Sequence, residues 1–219
     1  MRSSFLSHAG ATVLLVSLLS ACGGNHDDAP SNPPAPVVKV TELGAGAYVV
    51  SAGDAADPTA GKYYAAADGS RLLVLNNSAQ RASATYRRDA NGAWQRSPEP
   101  KLDTTLDLLQ SSAIPGAPLA IAPLARSYAA RLDNGSVALF SIGTGGELTA
   151  GGSACKLSGK LAASGLPNAL KLSLAASGCG DLPAQSEGVL VADGDYAPAA
   201  FRLITAGAGG PVDLWAYPE

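Results

Sequence analysis

Histidine is almost absent from this sequence, and its scarcity excludes whole classes of chemistry. The only two histidines, His8 and His26, lie near the amino terminus, so the rest of the chain has none. Ser-His-Asp and Cys-His nucleophile systems, most catalytic zinc sites and the usual general base near neutral pH all need an imidazole. The sequence also lacks a phosphate-binding loop, a dinucleotide fingerprint and an HExxH segment. We therefore expect a protein that is not an enzyme and that has no catalytic residues, metal site or cofactor.

Aromatic residues are also few, at 5% of the chain, while apolar residues make up 47%, many of them alanine. A core built from these residues contains few large side chains. The formal net charge is −3. This mild acidic balance argues against a nucleic-acid partner, which needs a basic face.

Basic residues are scarce but unevenly distributed. Five of them fall in one stretch: Arg81, Arg87, Arg88, Arg96 and Lys101. Two interpretations stay open for this cluster. It forms a patch that faces anionic lipid headgroups or glycan, or it consists of solvated strand positions whose charge Asp89 and Glu99 offset.

The amino terminus has the layout of a secretory signal. Arg2 is its only formal side-chain charge, an apolar run covers residues 11–19, and the small residues Ser20 and Ala21 follow. The apolar run is shorter than the roughly 20 residues that a membrane-spanning helix needs.

The tetrapeptide Leu19-Ser20-Ala21-Cys22 resembles the lipobox of bacterial lipoproteins: an aliphatic residue, a small residue, Ala or Gly, and an invariant Cys. The resemblance implies that residues 1–21 are a lipoprotein signal peptide and that Cys22 becomes the acylated first residue of the mature chain. The protein is then expected in the cell envelope, attached to a membrane through this lipid. Gly23 follows Cys22 where an Asp tends to mark inner-membrane retention, so the resemblance favours the outer membrane.

Residues 22–36 are predicted to be a disordered tether, because they carry no apolar periodicity. The segment contains four prolines: Pro30, Pro33, Pro34 and Pro36. If mostly extended at about 3.1 Å per residue, it would hold the following domain up to roughly 40 Å from the lipid.

Residues 37–219 are predicted to form an all-β domain, because short apolar runs alternate with turn dipeptides. The four hairpin signals are Asp68-Gly69, Asn91-Gly92, Asn134-Gly135 and Asp193-Gly194. The strands predicted around them are 62–66, 71–76, 83–88, 93–96, 128–132, 136–142, 188–192 and 199–205. This spacing is typical of an antiparallel sandwich or barrel built of hairpins.

Residues 102–111 fit either a helix or a strand, since Leu102, Leu106 and Leu109 have helical spacing while Leu106 and Leu108 alternate. The proline-rich segment that follows is unsuited to a central strand. We interpret it as a connector between two β halves, with a possible domain boundary near 112–124.

Once Cys22 is taken by lipid, Cys155 and Cys179 are the only thiols left, and an even pair in an oxidising compartment is normally bonded. We therefore predict a disulfide that closes a hairpin whose turn is Leu166-Pro167-Asn168. Strict strand alternation turns Cys179 away from Cys155, so we also predict an irregularity at Ser177-Gly178.

Two groups of carboxylates could carry chemistry. If their segment is a helix, Asp103 and Asp107 share one face and could lie the roughly 5 to 10 Å apart that the acid and base of a glycan hydrolase need, or they are two exposed acids with no function. Asp193 and Asp195 could contribute to a calcium site, although they lack the further ligands of an EF-hand loop, and a turn explains Asp193 more simply.

Three functional hypotheses remain. The leading one is a non-enzymatic envelope lipoprotein whose β domain binds or supports an unknown protein or glycan. The second is an inhibitor of a cell-wall lytic enzyme, since residues 81–86, followed by Asn91 to Trp94, resemble the Ser-Gly-x-x-Tyr loop of lysozyme inhibitors, with Ala84 in place of the Gly. The third is a carboxylate-dependent glycan hydrolase.

Overall fold

The structure is a computed structural model that describes residues 34–132 and 134–219. Cys22, the predicted signal peptide (1–21) and residues 22–33 of the predicted tether lie outside the described residues. Regular structure in the described part is almost entirely β-strand, so the all-β prediction is confirmed. No helix in that part has the length and hydropathy needed to cross a membrane.

The described strands fall into two groups of eight, separated by the proline-rich segment. The first group is β1 (Val38–Val40), β2 (Gly46–Asp54), β3 (Asp57–Ala65), β4 (Arg71–Asn76), β5 (Ala82–Arg88), β6 (Gln95–Ser97), β7 (Thr104–Leu106) and β8 (Leu108–Ile114). The second group is β9 (Ser127–Arg131), β10 (Val137–Ile142), β11 (Glu147–Ala150), β12 (Lys156–Ala163), β13 (Ala169–Ser177), β14 (Gln185–Val191), β15 (Phe201–Gly207) and β16 (Gly210–Pro218).

Six strands of the first group form an antiparallel sheet in the order β6-β5-β4-β3-β2-β8. The predicted turns at Asp68-Gly69 and Asn91-Gly92 connect β3 to β4 and β5 to β6. Gly69 has φ +94°, a conformation that glycine adopts without the steric cost other residues meet. The remaining strands, β1 and β7, pair in parallel and bury Val38 and Val40 against one face of this sheet.

The second group closes into an eight-stranded barrel, with β9 paired to both β10 and β16. Successive residues of a barrel strand alternate between interior and exterior, and β15 follows this rule. Phe201 and Leu203 join the barrel core, whereas Arg202 and Ile204 point outward. Three of the few aromatic side chains meet in that core: the ring of Tyr128 lies 5.7 Å from Phe140 and 4.7 Å from Phe201.

The outer face of the barrel packs against the sheet. The apolar cluster between the two layers combines Tyr64 and Leu72 of the sheet with Val189, Val191 and Ile204 of the barrel. Residues Ala35–Glu219 accordingly form one compact unit. The fold class predicted from the sequence, two β halves joined by a proline-rich connector, is confirmed.

The undecided stretch 102–111 is strand, because it contains β7 and the start of β8. Leu109 is left unpaired where the β2–β8 register shifts between Ser51 and Ala52, and this bulge explains why alternation alone did not decide the assignment. The connector then runs from Ile114 to a short 3-10 helix, Ala122–Leu124, before the barrel begins.

The hairpin prediction at Asp193-Gly194 is wrong in form. Asp193-Gly194 does lie between β14 and β15, but a 3-10 helix, Gly194–Tyr196, replaces the expected two-residue turn. The side chain of Asp193 caps this helix by accepting a hydrogen bond from the backbone N–H of Asp195 at 3.0 Å. The following strand therefore begins at Phe201 instead of residue 199.

Cys155 and Cys179 form the predicted disulfide, which closes the β12–β13 hairpin. The ladder is regular from Ala163–Leu170 to Lys156–Ser177, and β13 then ends. The predicted irregularity follows at Gly178, which has φ +66° and so breaks the alternation. It takes the form of a left-handed residue just beyond the strand, and it turns Cys179 into the barrel core beside Cys155.

Candidate functional site

A cleft runs along the seam where the sheet meets the barrel. Its larger cavity has a volume of about 430 Å³ and lies between strands β4 to β6 of the sheet and strands β14 and β15 of the barrel. Its polar lining includes Thr85, Arg87, Gln95, Arg96, Gln185 and Glu187. This volume falls within the roughly 300 to 1,000 Å³ typical of ligand sites.

A second cavity of about 360 Å³ adjoins the first, because Arg87 and Val189 line both. The charged residues around it are Asp68, Arg71, Arg87, Arg88, Asp89 and Lys171. We call the two cavities together the interlayer cleft. Cations outnumber carboxylates in this second part, so it favours an anionic group.

Strand alternation in β5 explains why a basic residue reaches the cleft. Ala84 and Tyr86 are buried on the face of the sheet that points away from the barrel. Thr85 lies between them in sequence and Arg87 follows Tyr86, so by alternation both point toward the barrel and line the cleft.

Two of the arginines beside the cleft are already engaged in structural contacts. Arg88 holds Glu42 in a bidentate pair, with Nη1 donating to Oε1 at 2.6 Å and Nη2 to Oε2 at 3.1 Å. Its guanidinium also lies 5.3 Å from the centre of the Trp94 ring. Arg71 donates from Nη1 to the carbonyl oxygen of Ala66 at 2.7 Å. These contacts hold the six-stranded sheet and the segment before it together. They leave few donors of either guanidinium free to bind a ligand.

Arg87 and Lys171 are the cations that stay available. Arg87 donates from Nη2 to Asp89 Oδ1 at 3.1 Å, but the Asp89 side chain is 79% exposed, so this pair is weak. Lys171 is exposed on β13 and makes no hydrogen bond or ion pair within the described part of the chain, although its charge interacts at longer range with the carboxylate of Asp68. One cation therefore comes from the sheet and the other from the barrel.

A buried ion pair stabilises the contact between the layers. Arg202 is fully buried and donates to Asp213 from Nε at 3.0 Å and from Nη2 at 2.6 Å. Its guanidinium lies 5.3 Å from the centre of the Tyr196 ring and 5.0 Å from that of Trp215. Burial alone would lower the pKa of Arg202, but the hydrogen bonds and charge of Asp213 outweigh it and raise the pKa.

The same ion pair reaches across to the sheet. Arg202 donates from Nη2 to Asn76 Oδ1 at 3.1 Å, and Asp213 accepts a hydrogen bond from the backbone N–H of Ala82 at 2.8 Å. Asn76 and Ala82 belong to β4 and β5, the strands that form one wall of the cleft. The ion pair thus fixes the spacing between the two walls.

Asp193 and Asp195, the two carboxylates considered for a calcium site, form an ion pair with Lys62 of the same chain. Lys62 Nζ lies 2.9 Å from Asp193 Oδ2 and 2.6 Å from Asp195 Oδ2, and its side chain is 9% exposed. The hydrogen bond that Lys62 donates to Asp195 lowers the pKa of that carboxyl group. The ammonium of Lys62 occupies the position in which a cation would meet both carboxylates.

We expect the Lys62 ion pair to make stability sensitive to alkali. Burial alone would lower the pKa of Lys62, but its hydrogen bonds to Asp195 and Asp193 raise it overall. A raised pKa in the folded state gives stability that is complete below the unfolded pKa, about 10.4, and that is lost as the pH rises through the folded pKa. The free energy of unfolding of the wild type minus that of Lys62→Met, measured by urea denaturation, should therefore shrink above about pH 10.5. A difference that stays constant from neutral pH to about pH 11.5 would contradict this.

Asp103 and Asp107 do not share a helical face, because they flank β7. Both are exposed, and each contacts the β1 region: Asp103 Oδ1 accepts from the backbone N–H of Val37 at 2.8 Å, and Asp107 Oδ1 accepts from Thr41 Oγ1 at 3.5 Å. The helical arrangement considered for a hydrolase pair is therefore wrong.

The segment that resembles an inhibitor loop is part of strand β5. Ala84 and Tyr86 are 6% and 3% exposed, and Trp94 is 8% exposed. These side chains belong to the core of the sheet, so the segment does not protrude as a loop.

The basic stretch noted in the sequence supplies part of the cleft: Arg87 and Arg96 line its larger cavity. Arg96 is itself engaged, with Nε donating to the Tyr86 hydroxyl at 3.0 Å. Sequence reasoning missed Lys171 and Glu187, which come from the barrel. No local pattern marks either residue, since only the packing of the layers brings them to Arg87.

No group of three or more His, Cys, Asp or Glu residues suited to hold a metal ion occurs in residues 34–132 and 134–219. Comparison with known proteins gave no significant match to a family model, a curated protein or a solved structure.

Proposed function

We propose that this protein is a non-enzymatic lipoprotein of the bacterial cell envelope, whose β domain binds an anionic glycan in the interlayer cleft. The observation that carries the binding proposal is the pair of available cations that line the cavity of about 360 Å³, Arg87 on the sheet and Lys171 on the barrel, next to the polar cavity of about 430 Å³. A carboxylate of a sugar acid suits a guanidinium, which offers two parallel N–H donors. Amides and hydroxyls such as those of Gln95, Gln185 and Thr85 suit the hydroxyls of the neighbouring sugar units.

Anchoring is the second part of the proposal. The lipobox-like tetrapeptide ending at Cys22 supports acylation, and Gly23 supports the outer membrane as the destination. The proline-rich segment that follows would let the domain reach its ligand at some distance from the lipid.

The binding proposal is tested on residues 23–219 by titration calorimetry with oligogalacturonate, an oligosaccharide that carries one carboxylate per unit. We expect Arg87→Met combined with Lys171→Met to weaken binding by roughly tenfold or more, since each charge-assisted hydrogen bond contributes about 1.5 to 3 kcal/mol. Lys39→Met, at the one exposed position of β1, is the matched control and should leave affinity unchanged. Equal affinity of the double variant and the wild type, or no binding by the wild type, would refute the site.

The anchoring proposal is tested in cells with a palmitate analogue. The full-length wild type should be labelled and fractionate with membranes, whereas Cys22→Ser should lose the label and be released or mislocalised. Equal labelling of both proteins would show that Cys22 is not the acylated residue.

A further inference from the structure

Strand β8 is an open edge of the six-stranded sheet. It pairs with β2 on one side, and no described strand pairs with its other side. In an antiparallel pair, every second residue directs its N–H and C=O away from its neighbour. Beyond Leu108, whose N–H donates to Thr41 Oγ1 at 3.2 Å, β8 therefore presents a row of backbone donors and acceptors without a partner strand along its outer side.

This edge is less protected against strand addition than the opposite edge of the same sheet. Proteins commonly protect an edge by keeping it short or by adding charged residues or proline. The opposite edge of the same sheet, β6, has only three residues, includes Arg96 and is followed by Pro98. β8 has seven residues, Leu-Leu-Gln-Ser-Ser-Ala-Ile, without a charge or a proline, so its protection is limited to the bulge at Leu109 and to Asp107 and Pro115, which flank it.

Apolar surface is exposed beside this edge. Leu109 is 42% exposed, and Val49, which lies opposite Ser112 on β2, is 38% exposed. They belong to a small set of large apolar side chains that remain exposed in the described residues. A strand added to β8 would cover part of this surface.

We propose that β8 pairs antiparallel with β8 of a second copy of this protein, so that the sheet continues from one copy to the other. On either side of Ser111, polar and apolar side chains follow one another in the same order along the strand. Ser111 meets itself, Gln110 meets Ser112, and Leu109 meets Ala113. Apolar residues thus face apolar residues, polar residues face polar residues, and no like charges meet. This is the self-complementarity that a two-fold interface requires.

The first test uses sedimentation velocity on residues 23–219 up to about 1 mM, because a single added strand gives weak association. The wild type should dimerise with rising concentration. Ser111→Lys places two like charges opposite each other across the two-fold axis, so dimerisation should weaken about tenfold. Thr149→Lys is the control and should dimerise like the wild type. Thr149 is an exposed residue of β11, a barrel strand that is paired on both sides. Circular dichroism establishes that both variants fold.

The second test uses disulfide cross-linking of the full-length protein in its native membrane. Opposed Cα atoms in antiparallel strands lie about 4.5 to 5.5 Å apart, a distance that a disulfide spans. Ser111→Cys should therefore give a covalent dimer on a non-reducing gel, whereas Thr149→Cys should not. A wild type that stays monomeric at about 1 mM would overturn the proposal. The absence of a cross-linked dimer in all three variants, Gln110→Cys, Ser111→Cys and Ser112→Cys, would also overturn the proposal.

Discussion

Asp213→Asn is expected to lower the free energy of unfolding by about 3 to 5 kcal/mol, because it leaves the guanidinium of Arg202 buried without a counter-charge. Arg202 is 0% exposed, and water cannot replace the lost carboxylate. The same substitution weakens the acceptor for the backbone N–H of Ala82 and for Trp215 Nε1, which lies 3.2 Å away. Urea denaturation of residues 23–219, followed by circular dichroism, measures this effect.

Two controls separate the buried charge from a general sensitivity to substitution. Glu147→Gln removes one partner of the exposed pair with Lys160 and should leave stability almost unchanged. Arg202→Met combined with Asp213→Leu should be less destabilised than Asp213→Asn, since replacing a buried ion pair as a unit avoids the unpaired charge. A double variant as unstable as the single one would show that packing, not charge, dominates this position.

Breaking the Cys155–Cys179 disulfide is expected to cost about 3.5 kcal/mol. The two residues are 24 apart in sequence, and the chain-entropy model assigns roughly this stabilisation to a closed loop of that length. For a domain of this size the melting temperature should fall by roughly 10 °C. Scanning calorimetry of residues 23–219, oxidised and then reduced, measures the change without altering any side chain.

Cys155→Ala combined with Cys179→Ala provides the control for the disulfide. Its melting temperature should match that of the reduced wild type, and adding reductant to it should have no further effect. An oxidised and a reduced protein with the same melting temperature would contradict the prediction.

The sequence predicted those parts of the fold that depend on neighbouring residues. Asp68-Gly69, Asn91-Gly92 and Asn134-Gly135 all mark turns between paired strands, and Gly69 and Gly135 have the positive φ that glycine supplies locally. The inward faces of β12 and β13 also followed from simple alternation: Leu157, Leu161 and Leu170 are at most 1% exposed.

Predictions failed where distant residues decide the local structure. The connection at Asp193-Gly194 is longer than a hairpin turn, and its carboxylates bind Lys62 from β3. The interlayer cleft depends on the same kind of contact, since Arg87 and Lys171 come from different layers. Neither the period of a strand nor a turn dipeptide carries information about which layer will face which.

Closure of the barrel through β9 and β16 has a consequence for the order in which the chain can fold. All strands of the six-stranded sheet lie within residues 46–114, so this sheet can assemble while later residues are still being synthesised. The barrel needs the pairing of Tyr128 with Pro218 and of Ala130 with Ala216 before it closes. Until then β9 and β15 present open edges and the barrel core is accessible to water. A nascent chain halted before residue 210 would thus contain every strand of the first layer and an incomplete second layer, whose open edges and exposed core favour aggregation until the last strand pairs.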